Sequence, residues 1–516
     1  MSIASEIETG PIVDVDGGRI QGHCQDGVDS FKNVPFGADT GGANRFRPPQ
    51  AVTRWQGVRP ALEFGPVAPQ DTSRPDRLKG DTDATYSEDC LNLNVWRPSG
   101  PATGLPVMVY IHGGGFSYGT ANHIAHDGGV LAGRGGMVVV TINYRLGVLG
   151  LLSHPCLRDG ETGYDGNWGF LDQIAALEWV NRNIAQFGGD ADNVTIVGLS
   201  AGGGSVGAHC ICPRSRPLFR RAVVQSSSPL PTPRSDHDAA AATLLEELGI
   251  EGTGAALRAV SGEAIQAAQP GWMAKLQNGR TAPRPMLDGD LLPYWPDEAM
   301  AAGLMDGLDL WVSYARDEAT VFAMAMAPDA IPKTDEQLGG LLAKAGLDGE
   351  AMISAYREAR RDRDEAADTW DLWIALQTDR LIRVPSVNFL ADHAARGNNA
   401  WACVITRECD WKPPMLDDRI LGATHVIDMP LMFGSLHATP ELERLVGTAP
   451  GVDELAAVVQ DAYIAFAHTG SPAIEALSDW RPYDGERRAT MQLGPELVSV
   501  DDPRGAERKL MADALA

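Results

Sequence analysis

The sequence predicts an α/β protein whose mostly parallel central sheet is flanked by helices. Two observations carry this. Short β-branched runs are almost continuously apolar, the pattern of strands buried on both faces. Segments with helical spacing alternate with them, as right-handed crossovers between parallel strands require. The runs, in order, are Leu105–Ile111, Met137–Ile142, Val194–Val197, Leu308–Val312 and Ala400–Ile405. Between the second and third, Leu171, Ile174, Ala175, Val180 and Ile184 repeat at helical spacing, and Gly188-Gly189 closes the segment. A second helix is expected over Leu455–His468, stopped by Gly470 and Pro472.

Composition narrows the function. The chain has 516 residues, 44% hydrophobic and 22% charged, enough to bury a large core. With 43 Lys+Arg against 68 Asp+Glu the formal net charge is −25, and no basic cluster is present. That argues against a nucleic-acid partner and against docking on anionic membranes. No apolar run approaches the ~20 residues that span a bilayer, and the start, MSIASEIETG, has acidic residues where a signal peptide would be basic. Seven cysteines lack the spacing of a zinc site, so no metal is expected, and they read as reduced thiols of a cytoplasmic protein.

In sheets of this kind the chemistry sits beyond the carboxyl ends of the strands. After Val194–Val197 comes Gly198-Leu199-Ser200-Ala201-Gly202, a G-x-S-x-G. Such a turn runs from strand to helix at a backbone angle that crowds flanking side chains, and it lifts a Ser hydroxyl clear of the sheet. Ser200 is the candidate nucleophile. After Leu105–Ile111 comes His112-Gly113-Gly114-Gly115-Phe116, where successive glycines let N–H groups converge on one developing oxyanion. A phosphate cradle is the rival, but no Gly-Lys-Ser/Thr follows.

A Ser nucleophile needs a base. Of eleven histidines, His425 follows the Ala400–Ile405 strand by a loop and lies C-terminal to Ser200, with His437 the nearest rival. The acid should lie between them. The Leu308–Val312 strand runs into Arg316-Asp317-Glu318, and either carboxylate would orient the imidazole.

These motifs resemble the type-B carboxylesterase family, which includes cholinesterases and bacterial p-nitrobenzyl esterases. The similarity runs from Phe31-Lys32-Asn33-Val34-Pro35-Phe36-Gly37 and Arg45-Phe46-Arg47-Pro48-Pro49 through Ser87-Glu88-Asp89-Cys90-Leu91-Asn92-Leu93-Asn94-Val95. It continues through the HGGGF loop, Asn143-Tyr144-Arg145, Gln225-Ser226-Ser227-Ser228-Pro229 and Leu287-Asp288-Gly289 to Gly422-Ala423-Thr424-His425 and Gly470-Ser471-Pro472. The resemblance implies an α/β-hydrolase fold in a single domain over 1–516, with long helical insertions, mainly within about 230–420, forming a gorge. It implies serine carboxylesterase activity on a small-molecule ester, without a cofactor, and leaves monomer and homo-oligomer open. The same triad would also serve a carbamate, thioester or amide hydrolase, and an inert binding protein on this scaffold is the reading outside catalysis.

Site residues follow from the same resemblance. The second carboxylate of the family's D-E-G segment completes the triad, which points to Glu318. Gly114, Gly115 and Ala201 would supply the oxyanion N–H groups, Ser226 a hydroxyl near Glu318, and Arg45–Glu88 a structural ion pair. The chain departs from the family at Leu199, where Glu is usual, and at Ala319, where the D-E-G glycine stands. Cys90 lacks the upstream partner that secreted relatives pair with it, and the Ala61–Tyr86 segment has no Trp for a quaternary ammonium platform. Trp272, Trp295, Trp370 and Trp373 are candidates for the gorge wall, with core packing the simpler role; Arg280, Arg284, Arg380 and Arg383 are candidates to receive an acidic substrate, with solvation the simpler role.

Overall fold

The apolar runs fold as strands in the computed structural model, which describes residues 9–70, 84–227, 230–277, 283–324, 326–416 and 418–515. Ser228, Pro229, Arg280 and residues 71–83 of the Trp-free segment lie outside the described residues. The contacts fall into two compact units. The first takes described residues up to 223, 230–308 and 467–470; the second takes those within 224–229, 309–466 and 471–516.

The strands of the first unit are β1 (Thr9–Val15), β2 (Gly18–Gln25), β3 (Val28–Pro35), β4 (Val58–Pro60), β5 (Asn92–Pro98), β6 (Leu105–Ile111), β7 (Val138–Ile142), β8 (Gly189–Leu199) and the start of β9 (Arg221–Gln225). They are ordered β1-β2-β3-β5-β7-β6-β8-β9, with β4 on β2. The edge from β1 to β5 is antiparallel. Its β2–β3 connection is the dipeptide Asp26-Gly27, with φ of 50° and 79°, the turn whose twist suits a two-residue hairpin. The centre is parallel, β7-β6-β8, and Val107–Ile111 and Val138–Ile142 are buried on both faces, which is why their sequence does not alternate.

The expected crossover helix spans Trp168–Asn183, runs on as a 3-10 turn over Ile184–Phe187, and ends at Gly188 with φ 82°. Gly189 does not close the helix; it opens β8, whose first, polar half escapes a search for apolar runs. Arg145, just past β7, donates to both carboxylate oxygens of Asp172 on that helix, Nε and a terminal nitrogen each at 2.7 Å, and both side chains are buried. Arg45 forms the expected bidentate pair with Glu88, its Nε 2.8 Å from the carboxylate. The helices Arg234–Leu248 and Gly262–Gln277 follow, with a short parallel pair of β10 (Thr232–Pro233) and β11 (Met286–Leu287). Trp272 is buried in this layer, so its role is packing.

The second unit contains β12 (Asp309–Ala315), β13 (Ala400–Ile405), β14 (Ala489–Leu493) and β15 (Leu497–Asp501) in that order, parallel from β12 to β14 and antiparallel at β15. Helices Asp335–Lys344, Gly349–Asp362 and Thr369–Thr378 bury Leu338, Leu342, Met352, Tyr356, Leu372 and Trp373 in one apolar cluster. Trp370 packs against that cluster beneath the Arg419 guanidinium, and Trp295 caps the helix Pro296–Ala301. Arg383 is buried, bound through two nitrogens to Asp379 at 2.6 and 2.7 Å. Asp379 also accepts from Tyr356 Oη at 2.7 Å. An arginine so committed holds the fold and is not offered to substrate. Among the described residues no helix is long and apolar enough to cross a membrane, and all seven cysteines are free thiols.

Candidate active site

Strand β8 ends at Leu199, the helix Ala201–Cys210 begins two residues later, and Ser200 between them has φ 59° and ψ −119°. This left-handed backbone is costly for a residue with a Cβ and persists only where its surroundings enforce it. Both flanking glycines do so by default of a side chain. A Cβ on Gly198 would stand 2.4 Å from backbone atoms of Gly202, and one on Gly202 would stand 2.0 Å from the Ile111 carbonyl oxygen. Ser200 itself is only half-buried.

The glycine loop after β6 lies against this elbow. A Cβ on Gly113 would meet Leu199 O at 2.7 Å and the Ser200 Cβ at 3.2 Å. Gly114 and Gly115 have φ of 109° and 60°. The loop is braced from several sides. Tyr144 Oη donates to the His112 carbonyl at 2.8 Å and its ring stacks on the His112 ring. The Gln70 amide bonds both the N–H and the carbonyl of Gly119, at 2.8 and 3.0 Å. Burial pushes His112 down to about 4, so it stands neutral in the loop.

The second unit holds a buried carboxylate–histidine pair. Glu318, three residues past β12, turns back so that Oε1 accepts from the Ala315 N–H at 2.6 Å, while Oε2 faces Nδ1 of His425 at 2.5 Å. Neither side chain has more than slight exposure. With Nδ1 held by the carboxylate, the free nitrogen of the ring is Nε2, which is buried and has no hydrogen-bond partner among the described residues. The segment carrying His425 is pinned by the neighbouring acid. The Asp317 N–H donates to Ala423 O at 2.8 Å, and its carboxylate accepts from the Ala423 N–H at 3.0 Å and pairs with Arg316. The two carboxylates left open by sequence thus differ: Glu318 holds the imidazole and Asp317 holds the loop. Thr320 and Thr424 add a hydroxyl pair at 2.7 Å, and the Phe322 ring lies 5.1 Å from the His425 ring.

The rival His437 is 61% exposed at its side chain and bridges Glu443 and Asp453 on the surface, apart from any buried carboxylate. Ser226 has φ 49° and donates its N–H to Ser313 O at 2.7 Å; its Oγ is buried and makes no hydrogen bond to Glu318 or to any other described group. Arg380 binds the Gln377 amide and Arg284 the Leu230 carbonyl. Sequence reasoning passed over Phe322 and a buried acid, Asp428. The second left a visible signal, a carboxylate three residues after the histidine. Among the described residues no group of three or more His, Cys, Asp or Glu side chains is arranged to hold a metal ion.

Comparison with known proteins defines the class first. A Geobacillus stearothermophilus carboxylesterase crystal structure superposes with a TM-score of 0.82 at 32% identity, over 97% of this chain and 99% of that one. A strand–serine–helix turn on a mostly parallel sheet, at that level of likeness, makes this an α/β-hydrolase. Within that class the chain belongs to the carboxylesterase family, whose profile matches residues 9–510. It is 34% identical to the para-nitrobenzyl esterase of Bacillus subtilis (strain 168), over 97% of this chain and 98% of the relative. It is 32% identical to the fumonisin B1 esterase of Sphingopyxis macrogoltabida, over 93% and 86%. Its activity class is that of the family, carboxylic ester hydrolysis by a serine esterase.

Proposed function

We propose that Ser200, His425 and Glu318 are the triad of this esterase, acting within one hydrolase domain whose helical segments inside 230–420 wall the approach to Ser200. The observation that carries this reading is the buried Glu318–His425 hydrogen bond, with Nε2 left unpartnered. The strained backbone of Ser200 at the end of β8 supports the nucleophile.

In this reading Ser200 Oγ attacks the ester carbonyl while His425 Nε2 takes its proton, and Glu318 stays ionised to steady the imidazolium. The oxyanion is received by the N–H groups of Gly114, Gly115 and Ala201. The imidazolium returns the proton to the departing alcohol as the acyl-enzyme forms. Water then repeats the sequence, releasing the carboxylic acid and free Ser200. No metal or organic cofactor enters any step. The substrate is a small-molecule ester; the net charge of −25 favours neither nucleic acid nor anionic membrane. The buried, unpaired Cys90 supports a reducing, cytoplasmic compartment.

The test is p-nitrophenyl ester hydrolysis by wild type and Ser200→Ala, with fluorophosphonate labelling. Ser200→Ala should lower kcat by about 10⁴-fold and take up no label. Near-wild-type turnover by the folded variant would remove Ser200 from the mechanism.

A further inference from the structure

The segment that carries His425 is fixed stepwise as far as the residue before it. Gly422 and Cys409 exchange backbone hydrogen bonds at 2.9 and 3.2 Å. Ala423 is held by the N–H and the carboxylate of Asp317. Thr424 stands opposite Asp317 in a parallel bridge, and its hydroxyl meets that of Thr320 at 2.7 Å. Beyond the histidine the backbone changes character. Val426 has φ 71°, a left-handed conformation that is costly for a β-branched residue and persists only where its surroundings enforce it. Thr424 is the last of these anchors before His425 and the strained turn that follows it.

The partner on the acid's side is placed to match. Thr320 lies two residues after Glu318, in the first turn of the helix Ala319–Met324. Its hydroxyl reaches the Asp317 carbonyl at 2.9 Å as well as Thr424. The start of that helix is fixed from another direction, because the Ala319 N–H donates to Thr378 Oγ1 at 3.3 Å. Thr320 and Thr424 are both buried, and β-branching leaves each side chain stiff. For stability alone, two buried hydroxyls that satisfy each other gain little over two methyl groups of the same shape. What they add is a bond of defined length and direction. That bond closes a ring through Thr320, Glu318, His425 and Thr424, whose other closure is the 2.5 Å contact of Glu318 Oε2 with His425 Nδ1.

We propose that Thr320 is a positioning residue of this esterase, which through the Thr424 hydroxyl sets the distance and direction from Glu318 to His425. The proposal rests on the triad reading above. With the tie in place, the strain at Val426 cannot turn the ring away from its carboxylate. Without it the loop relaxes about Val426, and fewer molecules hold the imidazole aligned to take a proton.

The experiment is kcat and KM on a p-nitrophenyl ester, with the melting temperature, for Thr320→Val, Thr424→Val, the double variant and Thr320→Ser. Thr320→Val keeps the shape and removes the tie, so kcat should fall roughly 10- to 100-fold with KM within about twofold. The double variant should be no slower than the slower single one, because one bond is broken in all three. Thr320→Ser keeps the hydroxyl and loses the methyl, and its kcat should return to within about threefold of wild type. A packing role gives the opposite order, with Val better than Ser. Wild-type kcat in Thr320→Val, no recovery in Thr320→Ser, or losses that multiply in the double variant each overturn the proposal. Should Thr320→Val not fold, Thr424→Val decides by the same fall in kcat at constant KM, since it leaves the Thr320–Asp317 bond intact. Failure of the triad reading looks different, because Ser200→Ala would then keep its turnover or its label.

Discussion

Glu318 Oε2 and His425 Nδ1 stand 2.5 Å apart with 0% and 5% of their side chains exposed, while Asp317, one residue earlier, faces Arg316 and the Ala423 amide. Adjacent carboxylates therefore divide the work of aligning a ring and anchoring the loop that bears it. Glu318→Gln should lower kcat by about 10³- to 10⁴-fold, because the amide cannot stabilise the imidazolium or fix its tautomer. Asp317→Asn should stay within roughly tenfold of wild type and act mainly on stability. Steady-state kinetics on both variants decide, and the reverse ranking would assign the acid to Asp317.

Gly202→Ala tests the elbow sterically. Its Cβ would sit 2.0 Å from the Ile111 carbonyl oxygen, a backbone atom that cannot swing aside. A loss of about 1–3 kcal/mol in urea unfolding is expected, with activity falling more steeply than stability because the shift moves Ser200. A variant with wild-type turnover and stability would show that the turn has slack.

The Arg145–Asp172 pair ties the segment after β7 to the crossover helix with both partners buried. Asp172→Asn leaves a guanidinium buried without its charge partner and should cost about 3–5 kcal/mol. Chemical denaturation measures this. A loss under about 1 kcal/mol would mean that Arg145 finds water or another acceptor.

Acid should destabilise the first unit through histidines that it buries neutral. Burial lowers His209 to about 3 and His237 to about 4, against 6.5 for the ordinary side chain. Between those values the unfolded chain binds protons that the folded one refuses, so stability falls as pH drops below about 6.5 and the loss levels off once the folded histidines also protonate. His209→Gln should be shallower by one proton, about 1.4 kcal/mol per pH unit over this window. Parallel stability profiles for wild type and variant would show that His209 is protonated in the folded protein.

Much of this was written where a strand meets a turn. The apolar runs gave β6, β7, β12 and β13 to within two or three residues at either end, and the glycines at 113–115, 198 and 202 marked both loops of the candidate site, because steric constraints act residue by residue. The antiparallel edge β1–β3 went unnoticed, since its half-buried strands alternate and carry no continuous apolar run. Sequence also left Asp317 and Glu318 equal on chemistry. What separates them is the direction each side chain takes, and that depends on the Ala315 N–H and the Ala423 backbone, which are packing facts. Arg383 looked available for a substrate because nothing local reveals that Asp379 and Tyr356 enclose it.

The second hydrogen bond of Glu318, from the N–H of Ala315 at the end of its own strand, has a consequence for how the esterase responds to different esters. A carboxylate fixed by its own backbone and an imidazole fixed by that carboxylate surrender their rotational freedom once, when the chain folds. No reorientation of this arm is then charged to each turnover, and its contribution to the activation entropy should be the same for every ester. On the triad proposed above, differences in rate between esters will then reside in how the acyl and alcohol groups settle against Ser200 and the glycine loop.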